Sequence, residues 1–210
     1  MNDMRKDCAF WLFWDYSHLV DDIPDAELVP FEGDDQVAGW LSVRTIEVPS
    51  RIYFEANFAA LGQTDFPVNN VTWPLMSRRM ADALLAVGRF PHRLVPVVML
   101  DDTVPSDKRF DASGEPLPGV ANFDYVVLQV LEHLDAFDWE RSEYRPHRRL
   151  PGRVAEVNKL VLKEPPGGFP PVFRLAVKSS YLFVSATAKQ ALDKAGITGL
   201  DYLTLDKIVV

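Results

Sequence analysis

The sequence is poor in cysteine and in long apolar runs, and it lacks the common signatures of nucleotide and acyl-transfer enzymes. Cys8 is the single cysteine among 210 residues. No internal disulfide can form, which fits a reducing compartment. No stretch approaches the roughly 20 apolar residues needed to cross a bilayer. The run from Cys8 to Trp14 is short, is closed by Asp15, and is followed by no small-residue cleavage site. It therefore reads as a first strand rather than a secretory leader. These absences predict a cytoplasmic protein without membrane association. There is no Walker loop and no Gly-x-Gly-x-x-Gly fingerprint, and no serine lies in a Gly-x-Ser-x-Gly elbow. The run Pro165-Pro166-Gly167-Gly168 is better suited to a turn than to a phosphate cradle.

Basic residues are scarce at one end. Residues 1–75 carry 13 acidic and 4 basic side chains, a net charge of −9, while the rest of the chain is at +1, giving −8 overall. An acidic surface opposes nucleic-acid binding, which needs cations to displace counterions from phosphates. It suits either a basic protein partner or plain solubility. The densest stretch runs from Asp15 to Asp35 and includes Asp21, Asp22, Asp25, Glu27, Asp34 and Asp35. Pro24, Pro30 and Gly33 interrupt it, which places it on loops and short edges. A basic counterpart lies at Arg145, His147, Arg148, Arg149 and Arg153. Without clear aromatic interleaving it reads as an exposed loop, or as a partner for the acidic third.

What the chain does have is a repeated local pattern. Val172–Val177 and Tyr181–Val184 have strand composition, with Lys178-Ser179-Ser180 as the expected turn. Ser185 stands at a helix N-cap position. Ala188, Ala191, Leu192 and Ala195 follow at helical spacing, Gly196 stands where a left-handed C-terminal cap is favoured, and Leu200–Leu205 returns to strand composition. Earlier, Ser77 precedes Met80, Ala83, Leu84 and Val87, then Gly88, then the apolar run Leu94–Leu100. Aligning Ser77 with Ser185 superposes Leu84 on Leu192 and Gly88 on Gly196. The expected fold is α+β, mostly antiparallel sheet with few helices, with two strand–helix–strand units that an internal duplication would relate. Asp101–Val120, rich in proline and glycine, reads as a linker or long surface loop. It suggests an acidic N-terminal subdomain over 1–120 and a C-terminal subdomain over 121–210, packed as one unit. Val154–Leu162 is a strand or a short helix.

The C-terminal pattern also resembles a family. Phe173-Arg174-Leu175, then Leu182-Phe183-Val184-Ser185, then the helix and Gly199-Leu200-Asp201-Tyr202, resemble the C-terminal signature of immunity protein family eleven of bacterial polymorphic toxin systems, formerly a domain of unknown function. Tyr125–Ser142 is similar to its central motif, with Asp135, Asp138 and Ser142 after an apolar strand. The resemblance covers roughly Trp73–Leu205 through loose patterns that mark a fold more than a reaction. It implies a protein that binds and neutralises a cognate toxin or effector domain, most often of nuclease type. An acidic surface could then cover a basic substrate groove in place of phosphates.

A catalytic alternative rests on Glu132, His133, Asp135 and Asp138. In a strand, His133 and Asp135 share one face and Glu132 lies on the other. Two same-face ligands are fewer than the three of a typical catalytic zinc, and His18, His92 and His147 are scattered. Cys8 sits among aromatics and reads as a buried apolar residue. The expectation is therefore no enzyme, no cofactor and no metal. A small metal-dependent hydrolase is the alternative reading, with an effector adaptor or chaperone as a third. The candidate toxin contacts are Asp21, Asp22, Asp25, Glu27, Asp34, Asp35, Trp139 and Glu140. The five tryptophans, Trp11, Trp14, Trp40, Trp73 and Trp139, are expected mostly in the core. Trp139, between Asp138 and Glu140, is the one expected to be partly exposed and available as an interface anchor.

Overall fold

The computed structural model describes residues 8–19, 23–31, 43 and 47–205. Within them the chain forms an α+β fold of two five-stranded sheets, mostly antiparallel, with three short helices. The first sheet contains β1 (Ala9–Trp14), β7 (His133–Leu134), β10 (Val172–Leu175), β11 (Lys178–Ser185) and β12 (Leu200–Thr204), in the order β12-β1-β11-β10-β7. The second contains β2 (Glu27–Leu28), β3 (Ile52–Ala56), β4 (Leu75–Ser77), β5 (His92–Asp101) and β6 (Ala121–Val130), in the order β2-β3-β5-β6-β4. Only the β3–β5 and β7–β10 pairs are parallel. A hairpin of β8 (Glu143–Pro146) and β9 (Val154–Lys159) completes the strands, so Val154–Leu162 opens as a strand.

Each sheet is buried on both faces, which explains its long apolar runs. In β6, Val126, Leu128 and Val130 enter the central core, while Tyr125 and Val127 enter a second core on the far side. In β11, Leu182 and Val184 enter the central core, while Phe183 enters a third core under the β8–β9 hairpin. This is the period-two alternation of a pleated strand used on both sides. The helix α1 (Phe58–Leu61) lies on the second core.

Helices α2 (Arg78–Val87) and α3 (Ala186–Lys194) fill the central layer and pack on each other. Ser77 and Ser185 cap them: Ser77 Oγ accepts from Met80 N at 3.1 Å, and Ser185 Oγ from Ala188 N at 3.2 Å. Leu84 and Leu192 are buried at the aligned positions. In both units the strands flanking the helix bracket a third strand antiparallel to both: β4 and β5 around β6, β11 and β12 around β1. The helix ends differ. At α3, Ile197 N donates to Leu192 O and Gly196 N to Asp193 O, both at 3.1 Å, and Gly196 has φ +62°, so a Schellman cap closes the helix. Gly88 has φ 166°, extended backbone, and makes no such cap.

One local expectation changes. The turn between β10 and β11 lies at Ala176-Val177, not at Lys178-Ser179-Ser180. Val177 is buried in the third core, and Lys178 Nζ donates to Ala155 O at 2.7 Å, so these residues extend the strand instead of turning it. The Asp101–Val120 segment is the long surface loop of the two readings, and it is anchored. Arg109 is buried, donating through Nη1 to Glu55 Oε1 at 2.5 Å and through Nε to Val104 O at 2.7 Å. Each sheet takes strands from both sides of residue 120, because β1 completes the first and β6 the second.

Asp65 joins the two helix units. Its Oδ1 accepts from Ser77 Oγ at 2.6 Å and from Arg79 Nε at 3.1 Å, and its Oδ2 accepts from Arg79 Nη2 and from Thr198 N at 3.0 Å. Arg79 also donates to Ala195 O and Gly196 O, satisfying carbonyls at the end of α3. Burial pushes the Asp65 carboxyl up, but the bonds from Arg79, Ser77 and Thr198 outweigh it and hold the group below the usual carboxylate range.

Candidate functional site

The candidate contact residues fall in different places. Asp21, Asp22, Asp34 and Asp35, with Trp40, lie outside the described residues. Asp25 points inward: it is buried, its Oδ1 lies 2.8 Å from His18 Nε2, and its Oδ2 accepts from Val68 N at 2.9 Å. This carboxylate ties the segment before β2 to the loop before β4. Glu27 stands exposed on the edge strand β2.

Trp139 and Glu140 sit together on a turn after β7. Asp138 builds that turn, since its Oδ1 accepts from Glu140 N and Arg141 N, both at 3.1 Å, while Ser142 N donates to Asp138 O at 2.9 Å. The Asp138 side chain thus turns inward and lifts Trp139 outward. The Trp139 ring is 39% exposed and meets Phe137 and Tyr144 edge to face, with centroids 4.8 and 5.2 Å away. These rings belong to the third core, so the indole is braced from below while its outer part remains free. An indole held in this way loses little side-chain entropy on binding, as an interface anchor requires. Trp139 rests on the third core and Glu27's strand on the second, so the structure does not gather all the candidates into one constellation. Of the other tryptophans, Trp73 is buried, and Trp11 and Trp14 are half-buried.

The Glu132–Asp138 cluster does not close into a site. His133 lies opposite Arg174 in the parallel β7–β10 pair. Burial, and then the charges of Arg174 and Arg153, lower the imidazole to about 4. A neutral imidazole is a competent ligand, but its charged neighbours are cations, which repel a metal ion. Among the described residues no three His, Cys, Asp or Glu side chains are grouped to hold one. Cys8 is half-buried at the start of β1. Arg145 pairs with Glu156 across the hairpin, its Nε donating to Oε2 at 2.8 Å. The loop beyond it is closed by His147 Nδ1, which accepts from Arg149 N and Leu150 N at 3.1 Å. Arg148 and Arg149 remain exposed there.

Sequence reasoning missed two residues that matter to this arrangement: Asp65, whose bonds depend on Ser77, Arg79 and Thr198, and Arg174. No local signal marks either one.

Residues 118–207 match the model of an immunity protein family, Imm11, which identifies this segment with immunity protein family eleven. The match begins just before β6 and ends after β12, so it contains the Trp139 turn, both strands around α3, and Arg174. No curated protein matches the chain. No helix among the described residues is long and apolar enough to cross a membrane.

Proposed function

We propose that the chain is a cytoplasmic immunity protein that binds and neutralises a cognate polymorphic toxin of nuclease type, without catalysis of its own. The observation that carries this reading is the family match over residues 118–207. The braced, half-exposed Trp139 beside Glu140 supports it as a contact, with Glu27 and the acids of the N-terminal third steering the approach of a basic toxin. The toxin domain encoded beside this gene should arrest growth when expressed alone, and co-expression of this chain should restore it. Trp139→Ala should weaken toxin binding mainly through faster dissociation. Glu27→Gln with Glu140→Gln should slow association and flatten its salt dependence, because rim charges act on encounter. Failure of the chain to bind or protect against any toxin domain encoded beside it would overturn the proposal.

We further infer that the two strand–helix–strand units descend from one duplicated unit. Their shared N-caps, matched Leu84 and Leu192, and shared bracketing of a third antiparallel strand support this. Relatives whose two units align with no more identity than unrelated capped helices would remove it.

A further inference from the structure

Arg174 is a buried charge without a counter-ion among the described residues. It is 2% exposed. Its Nη1 donates to Ser179 O at 2.7 Å, which is the guanidinium's one hydrogen bond among the described residues, and Nε is buried and unbonded. Burial alone lowers it, to about 10, and no carboxylate acts on it in return. It therefore stays charged at neutral pH. An uncompensated buried charge is costly.

Arg174 also lines a cavity of about 290 Å³ whose walls are aromatic: Trp11, Phe13, Trp14, Phe66 and Tyr181. Trp11 lies 4.7 Å from Tyr181 between centroids, and Trp14 stacks on Phe66 at 5.6 Å. No acidic residue is among the described residues that line the cavity. The cavity exists because a sheet comes apart there. Pairing of β1 with β11 stops at Leu12↔Leu182, while β1 continues along β12 to Trp14↔Leu200. The ends of β1 and β11 thus diverge around the opening. Thr72, also on the lining, has φ +54° and is the one non-glycine residue with positive φ among those described. A β-branched residue in the left-handed region is strained, and such strain collects at binding sites. Trp14 Nε1 is a second buried donor without a partner.

We propose that this cleft binds a carboxylate attached to an aryl or alkyl body, the carboxylate taken by Arg174 and the body by the aromatic walls. Nε and Nη2, neither bonded among the described residues, form the guanidinium edge that takes a carboxylate through two parallel bonds, and a small shift of the side chain would bring buried Nε within a ligand's reach. A single unneutralised cation in an apolar cleft matches a monoanion; a phosphate dianion would call for more donors than the lining supplies. The volume, at the lower end for ligand pockets, admits a group about the size of a substituted benzene ring. The carboxylate can belong to a free metabolite or to the side chain or terminus of a partner protein. The inference does not depend on the immunity reading.

The test is calorimetric titration of the whole chain with a panel of aryl and alkyl carboxylates, 3-phenylpropionate among them, each beside its neutral amide. The expected result is that at least one acid saturates the site and binds roughly tenfold or more tighter than its amide. Arg174→Met should abolish that preference, and Arg174→Lys, which keeps the charge but loses the fork, should weaken it. Arg174→Met should also be no less stable than wild type in urea, since it removes an uncompensated buried charge. Should that variant fail to fold, the acid–amide difference in the wild-type chain, with 3-phenylpropionate displacing a bound acid, still decides. Acids and amides binding equally, no acid saturating below about 10 mM, or an acid preference surviving in Arg174→Met would each overturn the proposal. Adding a saturating acid to the toxin-binding assay separates the two sources. Competition assigns the carboxylate to the partner, and undiminished toxin binding assigns it to a free ligand.

Discussion

Replacing Asp65 with asparagine tests how the two helix units are held together. The substitution keeps one acceptor oxygen and turns the other position into a donor. If the oxygen stays with Ser77 Oγ and Arg79 Nε, the new amide faces Arg79 Nη2 and Thr198 N–H, both donors. Hydrogen bonds to a charged group contribute about 1.5–3 kcal/mol each, and a buried N–H left unmet costs about 1–3 kcal/mol. These terms overlap, so the expected loss is about 3 kcal/mol. The Arg79 side chain is 56% exposed, so solvent screens the ion pair itself and Arg79→Met should cost only about 1 kcal/mol. The assay is urea unfolding of wild type, both single variants and the double variant. The melting temperature of Asp65→Asn should fall by about 6–12 °C for a domain of this size. The sign of the pH dependence follows from the depressed carboxyl. Its stabilisation is complete above the unfolded aspartate value of about 3.9 and is lost as pH falls below that toward the folded value. The gap between wild type and Asp65→Asn should therefore be constant from pH 7 to about 5 and should narrow only below about pH 4. A loss under about 0.5 kcal/mol at pH 7, or a gap that does not change with acid, would refute the reasoning.

Gly199→Ala should be severely destabilising, by more than about 2 kcal/mol, because a Cβ there would stand 1.8 Å from Thr64 Oγ1 and the residue has φ +79°. A melting temperature near wild type would show that the Thr64 loop yields. Ser185→Ala should cost about 0.5–2 kcal/mol through loss of a cap. Ser77→Ala should cost more, since Ser77 Oγ also donates to buried Asp65; equal losses in thermal unfolding would contradict this. His133, lowered to about 4, favours the folded state above its unfolded value of about 6.5 and loses that contribution as pH falls through about 4. His133→Gln should therefore flatten the decline in stability between about pH 6.5 and 4, read from denaturation midpoints across that range.

Local features were legible in the sequence because their causes are local. Ser77 and Ser185 each act on an amide three residues ahead, and Gly196 acts on its own backbone, so the caps and the helices they begin could be read directly. The α+β class followed from strand-length apolar runs around those helices. Features set by distant partners were not legible. Lys178-Ser179-Ser180 resembles a turn until Ala155 and the third core draw the segment into a strand. Asp25 looks like one more surface acid until His18 and Val68 are seen to hold it inward. Arg174 sits within a hydrophobic strand motif, and only the packing around it shows that no carboxylate compensates it.

The position of β1 bears on how the chain assembles. It lies between β11 and β12, so the sheet carrying the family-matched segment takes a central strand from the opposite end of the sequence, while that segment gives β6 to the other sheet. Residues 118–207 produced alone would leave β11 and β12 with facing, unpaired edges one strand apart, a slot ready to accept any extended chain of suitable pattern. In the full chain β1 must reach β11 and β12 before the first sheet is sealed. Such a contact closes a loop of well over a hundred residues and makes assembly of that sheet late and cooperative.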